Sequence, residues 1–148
     1  MSEEHPYLQA FRGYFSGVLR WHQLDELWRK VLAGSEEHGW YVYAVGEEPP
    51  TTALTGKALA KVIQELDKLL RQDHDEDYCG IVYADDMQAP SYIKVFDPHN
   101  LGSTCGSSGR PPLPGWILSK IQPINLPAAL PQPNNRRHWW QKLFTHAH

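Results

Sequence analysis

Two short apolar runs flank a turn-rich hexapeptide in the sequence 79-CGIVYADDMQAPSYIKVF-96. β-Branched and aromatic residues favour strands, and the intervening residues 85–90 are few enough to join antiparallel neighbours. We therefore predict a β-hairpin with strands at 79–84 and 92–96. Lys94 is the only charged residue of the second run. It indicates that this strand has a partly wet face or lies near an edge.

An amphipathic helix and an earlier strand precede the hairpin. The strand is predicted at 39-GWYVYAV-45, where aromatic and β-branched residues lie between glycines. The helix follows Thr55, a suitable N-cap, and its apolar residues recur at helical spacing, at Leu59, Val62, Ile63, Leu66, Leu69 and Leu70. Because a helix separates the two strands, we expect strands 39–45 and 79–84 to be parallel, joined by a right-handed crossover.

These elements predict an α+β fold in a single domain spanning residues 1–121. Residues 6–32 show helical spacing throughout, as one helix or as two with a break near residues 20–23. Residues 116–121 offer a fourth strand. We expect the N-terminal helices and one amphipathic crossover helix to pack on one face of a small mixed sheet of three or four strands. The aromatic N-terminal helix also makes a homodimer possible.

Composition excludes several classes of protein. A chain of 148 residues with 41% hydrophobic residues suits one packed core, and a net charge of -3 argues against a surface made for nucleic acid. The N-terminal sequence lacks the pattern of a signal peptide, and no apolar run approaches the roughly eighteen residues of a membrane-spanning helix. The two cysteines, Cys79 and Cys105, fit a reducing compartment. We expect a soluble, cytoplasmic protein that contacts neither nucleic acid nor membrane.

A long loop rich in Gly and Ser is the first candidate site. Its candidate ligand-binding residues are Asp97, His99, Gly102, Cys105, Gly106 and Arg110. Backbone N–H groups and Arg110 could receive an anion, and Cys105 with His99 and Asp97 could form a nucleophilic site. The glycine spacing does not match a phosphate-binding loop, and the cysteine lacks a diagnostic neighbourhood. An ordered structural loop is the simpler interpretation, and no cofactor is expected.

The acidic run 73-DHDED-77 is the second candidate. Four carboxylates close to the end of the predicted hairpin could bind a divalent cation, but the spacing of an EF-hand is missing. Solvated acidic loops are common, so we assign no metal ligands. Asp85 and Asp86 lie at the other end of the hairpin and are interpreted as turn residues.

The C-terminal region carries the third candidate. Residues 122–135 contain four prolines and are predicted to form an extended linker without core residues. Residues 136–148 form a basic aromatic tail, whose candidate partner-binding residues are Trp139, Trp140, Leu143 and Phe144. Such side chains dock on a partner protein or pack back on their own domain.

The leading hypothesis is a non-enzymatic binding, assembly or regulatory protein that acts through protein–protein contacts. The alternative is a small enzyme or ligand-binding domain with its site in the loop at 97–110.

Overall fold

The computed structural model describes residues 5–72, 79–97 and 113–130. The helices are α1 (Pro6–Phe11), α2 (Trp21–Leu32), α3 (Gly56–Gln72) and α4 (Leu126–Ala129). The strands are β1 (Ser16–Gly17), β2 (Tyr41–Ala44), β3 (Val82–Ala84), β4 (Tyr92–Val95) and β5 (Trp116–Ser119). The predicted α+β class is confirmed.

The five strands form one sheet in the order β1-β3-β4-β5-β2. Every neighbouring pair is antiparallel. In the hairpin Val82 lies opposite Val95, and β5 places Leu118 between Ile93 of β4 and Val42 of β2. The sheet therefore has more strands than predicted.

The predicted parallel pairing of the strands before and after α3 is wrong. β2 pairs with β5, and β5 and β4 separate it from β3. Since each step across the sheet reverses direction, β2 and β3 run in opposite directions and the sheet is not mixed. The physical reason is that β5, which comes later in the chain, takes the position beside β2. Local sequence patterns carry no signal for that long-range insertion.

Helices cover both faces of the sheet, whereas one covered face was expected. A first core joins α2 and α3 to one face. It includes Leu24, Leu27, Trp28, Val31, Leu59, Ile63, Leu66, Leu70, Val82, Ile93, Val95 and Leu118. A second core on the opposite face joins α1 and α4 to the sheet. Its buried residues are Tyr7, Leu8, Tyr43, Tyr92, Ile117 and Leu126.

The chain passes from the second face to the first through the segment between α1 and α2. α1 ends at Phe11, well before the expected break, and β1 then pairs with β3 at the edge of the sheet. Gly17 lies against the ring of Tyr83, where a Cβ would come within 3.2 Å of the ring. α2 begins at Trp21 as expected, because the side-chain oxygen of Gln23 accepts hydrogen bonds from the backbone N–H groups of Leu19 and Arg20.

The first part of the predicted linker is packed. Asn125 caps α4 by accepting a hydrogen bond from the backbone N–H of Ala128 (3.1 Å). Leu126 is fully buried, and its backbone N–H donates to the hydroxyl of Tyr43 (3.1 Å). The expectation that no core residue follows Gln122 is therefore wrong at Leu126, because Pro127 occupies the first turn of a helix, where proline is tolerated. Residues 131–135 lie outside the described residues.

No helix in the described ranges has the length and apolar character needed to cross a membrane.

We predict that Leu126→Ala lowers the free energy of unfolding by about 2–4 kcal/mol, because it leaves a cavity in the second core. Urea denaturation of the full chain measures the change. Leu113→Ala is the matched control, since Leu113 is 39% exposed, and its cost should be about 1 kcal/mol or less. Equal costs for the two variants would show that α4 contributes nothing to the core.

Candidate functional site

Most of the sequence-predicted site residues lie outside the described residues. This holds for the loop residues His99, Gly102, Cys105, Gly106 and Arg110, for the acidic run 73–77, and for the tail residues Trp139, Trp140, Leu143 and Phe144. Their roles stay predictions. Asp97 is the loop residue that the structure places.

Asp97 lies directly after β4 and against the chain that enters β5. A Cβ on Gly115 would lie 3.2 Å from the Cβ of Asp97. The neighbouring Phe96 donates its backbone N–H to the carbonyl of Ile81 (2.9 Å), so Asp97 and Cys79 leave the sheet at the same end.

Cys79 is a structural thiol. Its side chain is fully buried, and burial raises the pKa of the thiol, which disfavours the thiolate. Across residues 5–72, 79–97 and 113–130, no three His, Cys, Asp or Glu side chains come together in a way that would hold a metal ion.

Asp85 and Asp86 hold the turn of the hairpin, as the sequence predicts. One carboxylate oxygen of Asp85 accepts hydrogen bonds from the backbone N–H groups of Ser91 (2.9 Å) and Tyr92 (3.1 Å). Asp86 accepts one from the backbone N–H of Gln88 (2.8 Å). Both carboxylates therefore accept hydrogen bonds from the backbone of the hairpin turn and stabilise it.

Lys94 is an ionisable group in an apolar setting. It follows Tyr92 at the alternate position of β4, so its side chain lies on the face covered by α1. Its Nζ lies 4.1 Å from the ring centre of Phe11 and 3.9 Å from that of Phe15. The ion pairs resolved among the described residues belong to Arg71, and none joins a carboxylate to Lys94.

Two opposing effects act on the Lys94 amine. Half-burial removes water from the ammonium and lowers its pKa to about 8. The two phenyl rings attract the ammonium, and this attraction offsets part of the free energy lost when water is removed from it. A neutral amine is therefore present in a substantial fraction of molecules slightly above neutral pH, and a neutral lysine is a nucleophile.

Three tyrosines complete this layer. The rings of Tyr7 and Tyr92 lie 5.1 Å apart, Tyr43 lies 6.5 Å from Tyr7, and Phe15 packs on Tyr92 at 5.7 Å. Burial raises the pKa of both Tyr7 and Tyr92, so their phenols are neutral at physiological pH. Their hydroxyls form no hydrogen bond of good geometry within the described residues, although each phenol lies close enough to affect the pKa of the other.

We call Lys94, Phe11, Phe15, Tyr7, Tyr43 and Tyr92 the aromatic layer. It contains one amine with a lowered pKa and neutral phenols, and no carboxylate, imidazole or thiol belongs to it. A nucleophile without an adjacent acid or base can form a covalent adduct, but it lacks the groups that would release a product.

The sequence draws attention to Lys94 but does not predict its surroundings. It predicts a partly wet face or a position near an edge, whereas β4 lies in the middle of the sheet. The missing information was that Phe11 and Phe15, far away in the sequence, cover that face.

Comparisons of the chain with protein-family models, with curated proteins and with solved structures found no match.

The lowered pKa of Lys94 predicts a pH-dependent stability. The unfolded chain, whose lysine has a pKa of 10.5, binds more protons than the folded chain between about pH 8 and 10.5, so stability should rise with pH in that window. Relative to Lys94→Met, the wild type should gain ~1–2 kcal/mol of unfolding free energy between pH 7.5 and 10.

Urea denaturation at each pH measures this difference. The buried tyrosines titrate in both proteins, so their contribution cancels. Lys61→Met removes an exposed lysine of α3 and should leave the pH profile of the wild type unchanged. A wild-type profile parallel to that of Lys94→Met would show that the amine is not desolvated.

Proposed function

We propose that this protein is a non-enzymatic binding domain, used in assembly or regulation, which docks a partner protein through the connection between α1 and α2. We call residues 12–20 the docking segment. The observation that supports this proposal is the exposure of two of its apolar side chains: Tyr14 is 98% exposed and Leu19 is 59% exposed. The other large hydrophobic residues described as exposed, Leu113 and Ile121, are each 39% exposed.

The charge of this region suggests the chemistry of the partner. Arg20 is exposed at the end of the docking segment, and the chain from residue 5 to residue 24 contains no acidic residue. The whole chain nevertheless carries a net charge of -3. An aromatic and cationic patch on an acidic protein favours a partner with an apolar pocket and carboxylates at its rim.

The docking segment is held in place by its backbone. Val18 donates its N–H to the carbonyl of Val82 (2.8 Å), and the carbonyl of Leu19 accepts from the N–H of Cys79 (2.8 Å). The side chain of Gln23 accepts from the N–H groups of Leu19 and Arg20. Exposed side chains on a pre-ordered backbone bind with a smaller entropic cost than the same side chains on a flexible loop.

Side chains, rather than strand addition, would make the contact. β1 has two residues and lies at the edge of the sheet. The N–H of Val18 points to β3, so the alternation of an antiparallel ladder leaves mainly the polar backbone groups of Gly17 on the outer edge. An edge this short offers too few hydrogen bonds for another strand.

The loop at 97–110, the aromatic tail, homodimerisation and cytoplasmic location stay predictions. Of the residues in the ligand-binding alternative, the described part of the chain includes Asp97, two residues after the end of β4. The tail would provide a second contact with a partner, beyond the docking segment. A truncation that tests the tail should end at Leu130 and not before α4, because Leu126 is buried in the second core.

The docking segment is tested by a double variant, Tyr14→Ser with Leu19→Ser. Truncation of a hot-spot residue costs about 2 kcal/mol or more, and Tyr is enriched at hot spots, so loss of Tyr14 as the central contact should lower capture of a specific partner at least ~10-fold. Affinity capture from native lysate with quantitative mass spectrometry measures the loss. Leu113→Ser with Ile121→Ser is the matched control and should capture as the wild type does.

Two further variants separate the possible contacts. Arg12→Glu with Arg20→Glu should weaken capture if the partner surface is acidic, and the chain ending at Leu130 reports on the tail alone. Unfolding free energies should stay within about 0.5 kcal/mol of the wild type for the exposed Tyr14 and Leu19. Identical capture by the wild type and the Tyr14/Leu19 variant would overturn the docking segment as the contact.

A further inference from the structure

We propose that the docking segment binds a second copy of this chain, in an open groove where α2 ends and α3 begins. This inference rests on the proposed function, since it names the partner of the same segment. Residues within 32–37 and 56–60 line the groove, which we call the helix-end groove. Tyr14 and Leu19 of one copy enter the helix-end groove of the next copy.

The helix-end groove has the size and lining that an aromatic side chain requires. Its volume is about 480 Å³, within the usual range for pockets that bind small ligands, and its apolar lining includes Leu32 and Ala60. Its turn is ordered by the backbone, because the N–H groups of Glu37 and His38 both donate to the carbonyl of Gly34 (3.0 Å). The groove is therefore present before any partner binds.

A buried hydroxyl in the groove lacks a hydrogen bond. Ser35 lines the groove and is 4% exposed. Its backbone N–H donates to the carbonyl of Leu32 (3.1 Å), whereas no hydrogen bond from its side chain to a described residue is resolved. Buried hydroxyl groups are rarely left without a partner. The phenol of Tyr14 can donate or accept a hydrogen bond, so a tyrosine suits this groove better than a purely apolar side chain.

The charges of the groove complement those of the docking segment. Glu36 and Glu37 are exposed beside the groove, and Lys57 also lines it, so the lining carries two carboxylates and one ammonium. The ion pairs resolved among the described residues belong to Arg71, so neither glutamate is paired with a described cation. The docking segment contains two arginines and no acidic residue, and Arg20 is exposed. An apolar groove with carboxylates beside it is the partner surface that such a segment favours.

The docking segment and the helix-end groove lie at opposite ends of α2. The segment ends at residue 20, where α2 begins, and a helix of 12 residues is about 18 Å long. α3 runs antiparallel to α2, because Arg71 at its C-terminal end donates to Asp25 (2.6 Å) and to the carbonyl of Trp21 (3.5 Å). The start of α3 therefore lies beside the end of α2. A docking segment at the other end of the helix pair cannot fill the groove of its own chain.

A contact of this kind joins two unlike surfaces. Each bound pair leaves a free docking segment at one end and a free helix-end groove at the other. Further copies can then add head to tail, unless the assembly closes into a ring. The protein would thus act in assembly without a catalytic step.

Sedimentation velocity of the full chain tests the self-association. Over about 5 to 500 µM, where weak interfaces associate, the weight-average mass should rise with concentration and exceed that of a dimer. The Tyr14→Ser with Leu19→Ser variant should associate at least ~10-fold more weakly, because it removes the inserted side chains. A wild-type chain that stays monomeric over the whole range would overturn the inference.

A charge reversal in the groove tests the other surface. Glu36→Lys with Glu37→Lys places like charges opposite Arg20 and should weaken association at least ~10-fold. Glu47→Lys with Glu48→Lys is the matched control, because it makes the same change of charge at exposed residues outside the groove. The control should associate as the wild type does. Near-ultraviolet circular dichroism checks that each variant is folded.

A mixture of the two weakened variants gives the sharpest result. The Tyr14/Leu19 variant keeps an intact groove, and the Glu36/Glu37 variant keeps an intact docking segment. The mixture should form dimers and nothing larger, because one intact contact remains in each pair and no third copy can add. A mixture that stays monomeric, or that assembles beyond the dimer, would show that the two surfaces do not bind each other.

The outcomes separate this inference from the docking proposal. If the wild type is monomeric but the Tyr14/Leu19 variant loses capture of a partner from lysate, the docking segment binds a different protein and the second copy is excluded. If association survives the Tyr14/Leu19 change, the copies meet through another surface and the inference is wrong.

Discussion

Strand β5 joins the two parts of the sheet, because it pairs with β4 on one side and with β2 on the other. Its successive residues also serve both cores: Leu118 packs in the first core and Ile117 in the second, and both are fully buried. Without this strand, β2 would have no partner in the sheet, and the two helical layers would lose the platform between them. The hydrogen bonds of these four residues, and side chains that join the two cores in turn, therefore determine where the elements before β3 and after β4 meet.

The two helical layers accommodate positive charge in different ways. In the outer part of the first layer, Arg71 of α3 donates to Asp67 (2.9 Å) and to Asp25 (2.6 Å), and its guanidinium lies 4.9 Å from the ring centre of Trp21. Asp67 also accepts from the indole N–H of Trp28 (3.1 Å). Each exposed ion pair of this kind contributes little to the free energy of unfolding. Together the contacts of Arg71 join α3 to α2.

The second layer holds a cation without such partners. Lys94 meets phenyl rings instead of carboxylates, so its charge is compensated by weaker and less directional interactions. Burial shifts its protonation toward the neutral amine, whereas the guanidinium of an arginine would remain charged in the same place. The contacts of the Lys94 amine with Phe11 and Phe15 also join α1 and the chain that follows it to the sheet. The docking segment begins where that helix ends, at the point where the chain crosses from one face of the sheet to the other.

Local sequence patterns are sufficient to predict the elements whose burial follows a short period. The apolar stripe of α3, the hairpin turn held by Asp85 and Asp86, and the start of α2 near Trp21 are all visible in the chain, because neighbouring residues decide them. Long-range packing sets the order of the strands, the position of β5 beside β2, the burial of Leu126 and the environment of Lys94. Each of these depends on residues distant in the sequence, and hydrophobic periodicity shows which side chains leave water without showing which partners they meet.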